Sequence, residues 1–245
     1  MAQRNIVVDT LKAFTRKLGF NIIRNDYIFD VQEPKYVGSS RWVDYLENEY
    51  NKNGMKILEI GSRNVTNVNL RSKFNKAAYV GFDFYAGENV DIVGDAHKLA
   101  SYFNENEKFD LIFSSAVFEH LYMPWVVAEE IQKLLKIGGC VFVETHFSFK
   151  AHEMPWNFFQ FSHTGLRALF NEGLGFELID SGMSNPICGI FGEKADKRLR
   201  YGTLSNLYCN SEVLCKKVRE VDHFEWRSLS IDEVVDGSRY PTPNK

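Results

Sequence analysis

No stretch of the 245-residue chain approaches the roughly 18 consecutive apolar residues that a bilayer-crossing helix needs. The first residues, with polar Gln3, Arg4 and Asn5, carry no apolar segment of the secretory kind, so the expectation is a cytoplasmic protein without a membrane span. Cysteine is scarce: Cys140, Cys188, Cys209 and Cys215 form no CxxC pair. A zinc site of paired thiolates is therefore not expected, and isolated thiols suit a reducing compartment. A basic excess is also missing, since 29 Lys and Arg face 32 Asp and Glu for a net charge of −3. A surface that neutralises phosphates needs the opposite balance, which weighs against a nucleic-acid partner. Neither an internal repeat nor a low-complexity tract interrupts the chain. What remains is 44% hydrophobic and 25% charged, the make-up of an ordinary globular domain.

Val7, Leu11, Phe14 and Leu18 recur at helical spacing and Gly19 closes the pattern, which predicts an amphipathic packing helix. Asp30 to Ser40 reads as a linker, and Trp42, Tyr45, Leu46 and Tyr50 predict a second helix. From Met55 the pattern becomes regular. Apolar strands are expected over 55–60, 78–84, 90–93, 109–114 and 140–145, with later ones over 176–180 and 211–218. Helices are expected between them over 68–74 and 99–104, after Pro124 with Val127, Ile131, Leu134 and Leu135, and over 166–170. Apolar strands alternating with helices imply a doubly wound α/β fold, a mostly parallel sheet joined by right-handed crossovers. The expected division is a helical extension over 1–50, the α/β domain over 51–225 and a tail over 226–245.

In such a sheet, ligands bind beyond the carboxyl ends of the strands, where strand order reverses. The first strand ends in Glu59-Ile60-Gly61-Ser62, the second in Asp83-Phe84, the third runs into Asp95-Ala96, and the fourth ends in Ser114-Ser115. The GxGxxG loop of a dinucleotide site is absent, because only Gly61 stands there. S-adenosylmethionine carries no phosphate and tolerates a single close backbone approach. Its ammonium, ribose diol and adenine amino group each want an acceptor, which Glu59, Asp83 and Asp95 supply in order.

The pieces ILEIGS, VGFDF, GDAHKL, FDLIFSSAVFEHL and LLKIGGCVFVET, spanning Lys56 to about Val143, together resemble the core of class I S-adenosylmethionine-dependent methyltransferases. That resemblance implies that Glu59 and Gly61 line the methionine end, Asp83 takes the ribose, and Asp95 meets the adenine, flanked by Phe84 and Ala96. Ser62 and Ser114 complete the expected cofactor contacts. The first loop departs from the family, with Ser62-Arg63-Asn64 in place of a glycine-rich run. Further on, HEMPWNFFQFSHTGL, from His152 to Leu166, resembles a segment of methyltransferase type-11-like proteins, many associated with glycan synthesis. The acidic and basic members of that segment are replaced here by Asn157 and Gln160.

The implied reaction is methyl transfer to oxygen on a glycan or other small molecule, because Ser114-Ser115-Ala116-Val117 lacks the Asn/Asp-Pro-Pro-Tyr/Phe run used for exocyclic amines. Histidine is the side chain that titrates near working pH, so the base is sought among His152, His146 and His120, in that order. Trp156, Phe158, Phe159 and Phe161 serve equally as a hydrophobic lid or an acceptor platform. Glu144, His146 and His152 offer two imidazoles and a carboxylate to a divalent ion. No metal is expected, since metal-dependent catechol-type relatives have an Asp where Ser114-Ser115 stand. A non-catalytic S-adenosylmethionine-binding partner of a biosynthetic complex, and a nucleotide-dependent dehydrogenase, are the competing readings. Oligomeric state and acceptor identity stay open.

Overall fold

A computed structural model describes residues 6–23, 29–65 and 69–235. The expectations for Gln3-Arg4-Asn5, for a helix start at Val68 and for residues 236–245 of the tail lie outside the described residues. Two compact units emerge, one combining the described residues up to Asp30 with Ile187–Leu207, the other combining the described residues of Val31–Pro186 with those from Tyr208 onward.

The larger unit is built on short, strongly apolar strands. β1 (Lys56–Ile60), β2 (Ala78–Asp83), β3 (Ile92–Val93), β4 (Phe109–Ser115) and β5 (Leu135–His146) run parallel in the order β3-β2-β1-β4-β5. β6 (Phe176–Pro186) forms the far edge, and the last long strand, Tyr208–Lys217, inserts antiparallel between β5 and β6. β1 has β2 on one side and β4 on the other, so the chain reverses its direction of travel across the sheet between β1 and β4. Open α/β sheets bind their ligands beyond the carboxyl ends of the strands at such a reversal.

Both faces of the sheet are covered, which explains the continuous apolar runs at its centre. Leu58, Ile60, Ile112, Val141 and Val143 pack against Val127, Ala128, Ile131 and Leu134 of the helix Pro124–Leu134 and against Leu166 and Leu169 of the helix His163–Leu169. On the opposite face, Ile57, Leu111, Phe113 and Phe142 meet Trp42 and Leu46 of the helix Arg41–Tyr50. Trp42 stacks on Phe142 with ring centroids 5.1 Å apart. That helix, assigned to the extension by pattern alone, thus contributes to the core of the sheet.

Several local expectations change. Leu70–Phe74 and Ala96–Tyr102 are 3₁₀ turns rather than α-helices, being too short to repay α-helical nucleation. Leu135 opens β5 instead of closing the preceding helix. β6 and the Tyr208–Lys217 strand extend well beyond their apolar centres, into Ser184 and Asn210, which are buried with their side chains hydrogen-bonded.

In the smaller unit, Ile6–Lys17 forms the amphipathic helix and Gly19 follows it at φ +84. Gly189–Ile190 (β7) pairs antiparallel with Thr203–Leu204 (β8), a hairpin that the apolar pattern did not announce. The Arg16 guanidinium lies 4.5 Å over the Tyr201 ring. Among the described residues, no helix is long and apolar enough to cross a membrane.

Candidate active site at the carboxyl edge of the sheet

The end of β1 lies at the point where strand order reverses. Gly61 turns the chain at φ +88, and a Cβ there would sit 2.2 Å from Cγ2 of Val117. Only glycine meets both demands. The N–H groups of Gly61 and Ser62 donate to the Phe82 carbonyl at 2.8 and 3.1 Å, which ties the first loop to β2. Glu59 is buried one step below. Burial pushes its carboxyl up to about 8, with Asp83 adding to the rise and Arg71 opposing it.

At the end of β2, Asp83 accepts the backbone N–H of Arg63 at 3.2 Å and of Tyr85 at 2.8 Å. Its carboxylate also lies 3.5 Å from Arg63 Nε. Phe84 is half exposed, with its ring 5.9 Å from that of Trp156. Beyond β3, Asp95 caps the following turn by accepting the His97 N–H at 3.0 Å, and pairs with His97 Nδ1 at 2.7 Å. Burial opposes its ionisation, but the hydrogen bonds from His97 outweigh that and hold the carboxyl below the usual range. Ala96 is buried in the core beneath this turn. At the end of β4, Ser114 is buried.

The structure thus gathers Glu59, Gly61, Ser62, Asp83, Phe84 and Asp95 along one edge of adjacent strands. The hydroxyl oxygens of Ser62 and Ser114 are buried with no hydrogen-bond partner among the described residues. Buried hydroxyls of this kind normally find a partner, so these two fit a polar ligand near the ends of β1 and β4. Acceptor-rich strand ends suit a ligand with an ammonium, a diol and an amino group.

A second cluster borders the first. Glu119, fully buried in the turn Phe118–His120 just after β4, receives the Thr145 hydroxyl on one carboxylate oxygen at 2.6 Å. Its other oxygen lies 2.6 Å from His146 Nδ1. Burial opposes charge on both partners. For Glu119 the bonds from His146 and Thr145 outweigh it, so the carboxyl stays below its usual range. For His146 the close approach and charge of Glu119, with Glu144 behind, raise its proton affinity above the ordinary value.

His120 and His152 complete the group. Their rings are 4.9 Å apart, and the His152 ring is 5.3 Å from that of His146. Glu144 is turned to other partners, accepting from the Ser115 hydroxyl at 2.5 Å and from the Asn210 amide. The loop after β5 is pinned over the site, because Phe158 and Phe159 both donate backbone N–H groups to the Glu119 carbonyl, at 2.8 and 3.2 Å. Of the expected aromatic cluster, Trp156, Phe158 and Phe159 are exposed on the rim, whereas Phe161 is part of the core. Sequence reasoning placed the three histidines together at the sheet edge and overlooked Glu119 as their hub. The glutamate directly before His120 was the available signal, but its contacts are with Thr145, 26 positions away, and its neighbour His146.

Residues 35–179 match the model of a family described as "Methyltransferase domain", more than half of the chain. The chain belongs to this family. It is an S-adenosylmethionine-dependent methyltransferase. Among solved structures, it is similar to a putative methyltransferase from Bacillus halodurans, at 13% identity and TM-score 0.52, covering 73% of this chain and 99% of that one. A chain from the complex between the Haloferax volcanii Trm112 methyltransferase activator and the putative methyltransferase is similar too. There the identity is 15%, the TM-score 0.51, and the coverage 74% of this chain and 91% of that one. At such identities these likenesses concern the fold, and they agree with a mostly parallel, Rossmann-like methyltransferase sheet. A search of curated proteins finds no match.

Proposed function

We propose that this methyltransferase acts on a hydroxyl oxygen of a small-molecule acceptor, with a sugar hydroxyl of a glycan as the first candidate and His146 as the base. The observation that carries the reading is the Glu119–His146 pair, 2.6 Å apart and buried on the carboxylate side. The negative charge of Glu119 against Nδ1 favours the tautomer with its proton on that nitrogen, which leaves Nε2 of His146 to accept a proton. An unactivated hydroxyl needs such a group, and a positioned base contributes about 10²–10⁴ in rate. Glu119 then stabilises the imidazolium. His152, the first choice from sequence, bonds its Nδ1 to the Lys150 carbonyl at 3.0 Å, and so has a main-chain partner where His146 has a buried carboxylate.

The cofactor presents an electrophilic methyl group when bound. Glu59 would hold its ammonium, Asp83 its ribose hydroxyls and Asp95 its adenine amino group, with Gly61, Ser62, Phe84 and Ser114 lining the site and Ala96 supporting it from the core. The exposed rings of Phe84, Trp156 and Phe158 offer apolar faces on which the C–H side of a sugar or an aromatic acceptor packs. Much of the rate then comes from holding acceptor and methyl group in line.

The test is S-adenosylhomocysteine release on a panel of sugar, phenol, amine and carbon-acid acceptors, with the product mapped by NMR. The expected result is O-methylation, lost in His146→Ala while cofactor affinity is kept. Turnover confined to amine or carbon acceptors would overturn the oxygen assignment. Cofactor binding without turnover on any acceptor would favour a non-catalytic binding partner.

A further inference from the structure

Glu119, His120 and His152 hold one ligand atom each within 4.8 Å of one another. Two imidazoles and one carboxylate form a donor set suited to borderline divalent ions such as zinc, cobalt or nickel, rather than to magnesium or calcium, which prefer all-oxygen cages. A tetrahedral ion with bonds of about 2.0–2.2 Å spaces its ligand atoms by roughly 3.3 Å. His120 Nε2 and Glu119 Oε1 lie 3.9 Å apart, and the three ligand atoms all fall within 4.8 Å of one another, so side-chain movement of about 1.5 Å at most closes the set.

A second observation points the same way. His120 Nδ1 lies 3.1 Å from the Trp156 carbonyl, and His152 Nδ1 lies 3.0 Å from the Lys150 carbonyl. A backbone carbonyl accepts only, so each Nδ1 carries the proton. In the neutral ring Nε2 then keeps its lone pair, and the bond at Nδ1 sets the ring orientation. This is the outer-shell arrangement that metal-ligating histidines use. Thr145 does the same for the carboxylate by occupying the far oxygen of Glu119 at 2.6 Å. Glu153, 3.6 Å from His120 Nε2, stands nearby as a further carboxylate.

We propose that Glu119, His120 and His152 form a binding site for one divalent transition-metal ion. The expectation of no metal rested on Ser114-Ser115 at the end of β4. These ligands come instead from the turn after β4 and the loop after β5. Three protein ligands leave a coordination position for water or a substrate oxygen. Glu119 Oε1, which also faces His146 Nδ1 at 2.6 Å, has a second lone pair to offer the ion.

The test is a titration of the full-length, tag-free, chelator-stripped protein with Co²⁺, read by its visible absorption and by calorimetry. The expected result is one ion per chain, with affinity reduced at least about tenfold in both His120→Ala and His152→Ala. In the control His223→Ala, at an exposed histidine away from the cluster, affinity is unchanged. S-adenosylhomocysteine binding and circular dichroism check the fold of each variant. If His120→Ala fails to fold, His152→Ala, in the loop after β5, carries the test. No stoichiometric Co²⁺ binding by the native protein, or native affinity in His152→Ala, would overturn the site. Turnover lost in His146→Ala with Co²⁺ binding retained would separate this proposal from the assignment of the base.

Discussion

Glu59 makes an unusual demand on cofactor binding. Its carboxyl is pushed up to about 8 by burial, so in the free protein at pH 6.5 it is almost wholly protonated. To face an ammonium it must ionise. The difference of about 1.5 pH units costs about 2 kcal/mol, or roughly thirtyfold in affinity. Binding of S-adenosylhomocysteine, which shares the ammonium, should therefore release about one proton per molecule at pH 6.5. Calorimetry in buffers of different ionisation enthalpy measures that proton directly. Glu59→Gln should abolish the release while the protein still folds, since the amide is neutral at every pH. A heat of binding at pH 6.5 that does not depend on the buffer would refute the pairing of Glu59 with the ammonium.

Two further outcomes follow from other buried carboxyls. In chelated buffer, Glu119→Gln should lower the rate of methyl transfer on the order of 10²-fold, because the amide favours the wrong tautomer of His146. The acidic limb of the rate–pH profile should also move to lower pH, since burial then acts on His146 without its charged partner; an unmoved limb would mean that another group is the base. Glu212, pushed up to about 8 mainly by burial, lies in the folded state above its unfolded value near 4.5, so the stability it contributes at low pH is lost as pH rises through 8. Glu212→Gln should flatten the fall in melting temperature between about pH 5 and 8, and an equal slope in both proteins would contradict this.

The parts of the fold that were legible in the sequence are those buried on both sides. Ile57, Leu58 and Ile60, Leu111 to Phe113, and Val141 to Val143 are apolar without alternation because helices cover both faces. The outer reaches of β6 and its antiparallel partner were not legible. Ser184 and Asn210 are buried there through side-chain hydrogen bonds, and a polar residue satisfied by a distant partner reads as loop in a linear pattern. The same contrast holds at the site. Glu59, Asp83 and Asp95 were found because a strand end is a position in sequence. Glu119 was missed as an orienting group because its contacts with Thr145 and His146 exist only once the turn after β4 folds against the end of β5.

The central claim is that the acidic strand ends hold S-adenosylmethionine, and the direct measurement is calorimetry of S-adenosylhomocysteine and of NAD with the native protein and Asp83→Ala. Asp83 offers two carboxylate oxygens to the ribose hydroxyls, and charge-assisted bonds of this kind contribute about 2 kcal/mol. Stoichiometric binding of S-adenosylhomocysteine, no measurable binding of NAD, and affinity about thirtyfold weaker in the variant are expected. Equal affinity in Asp83→Ala, or preference for NAD, would contradict the claim.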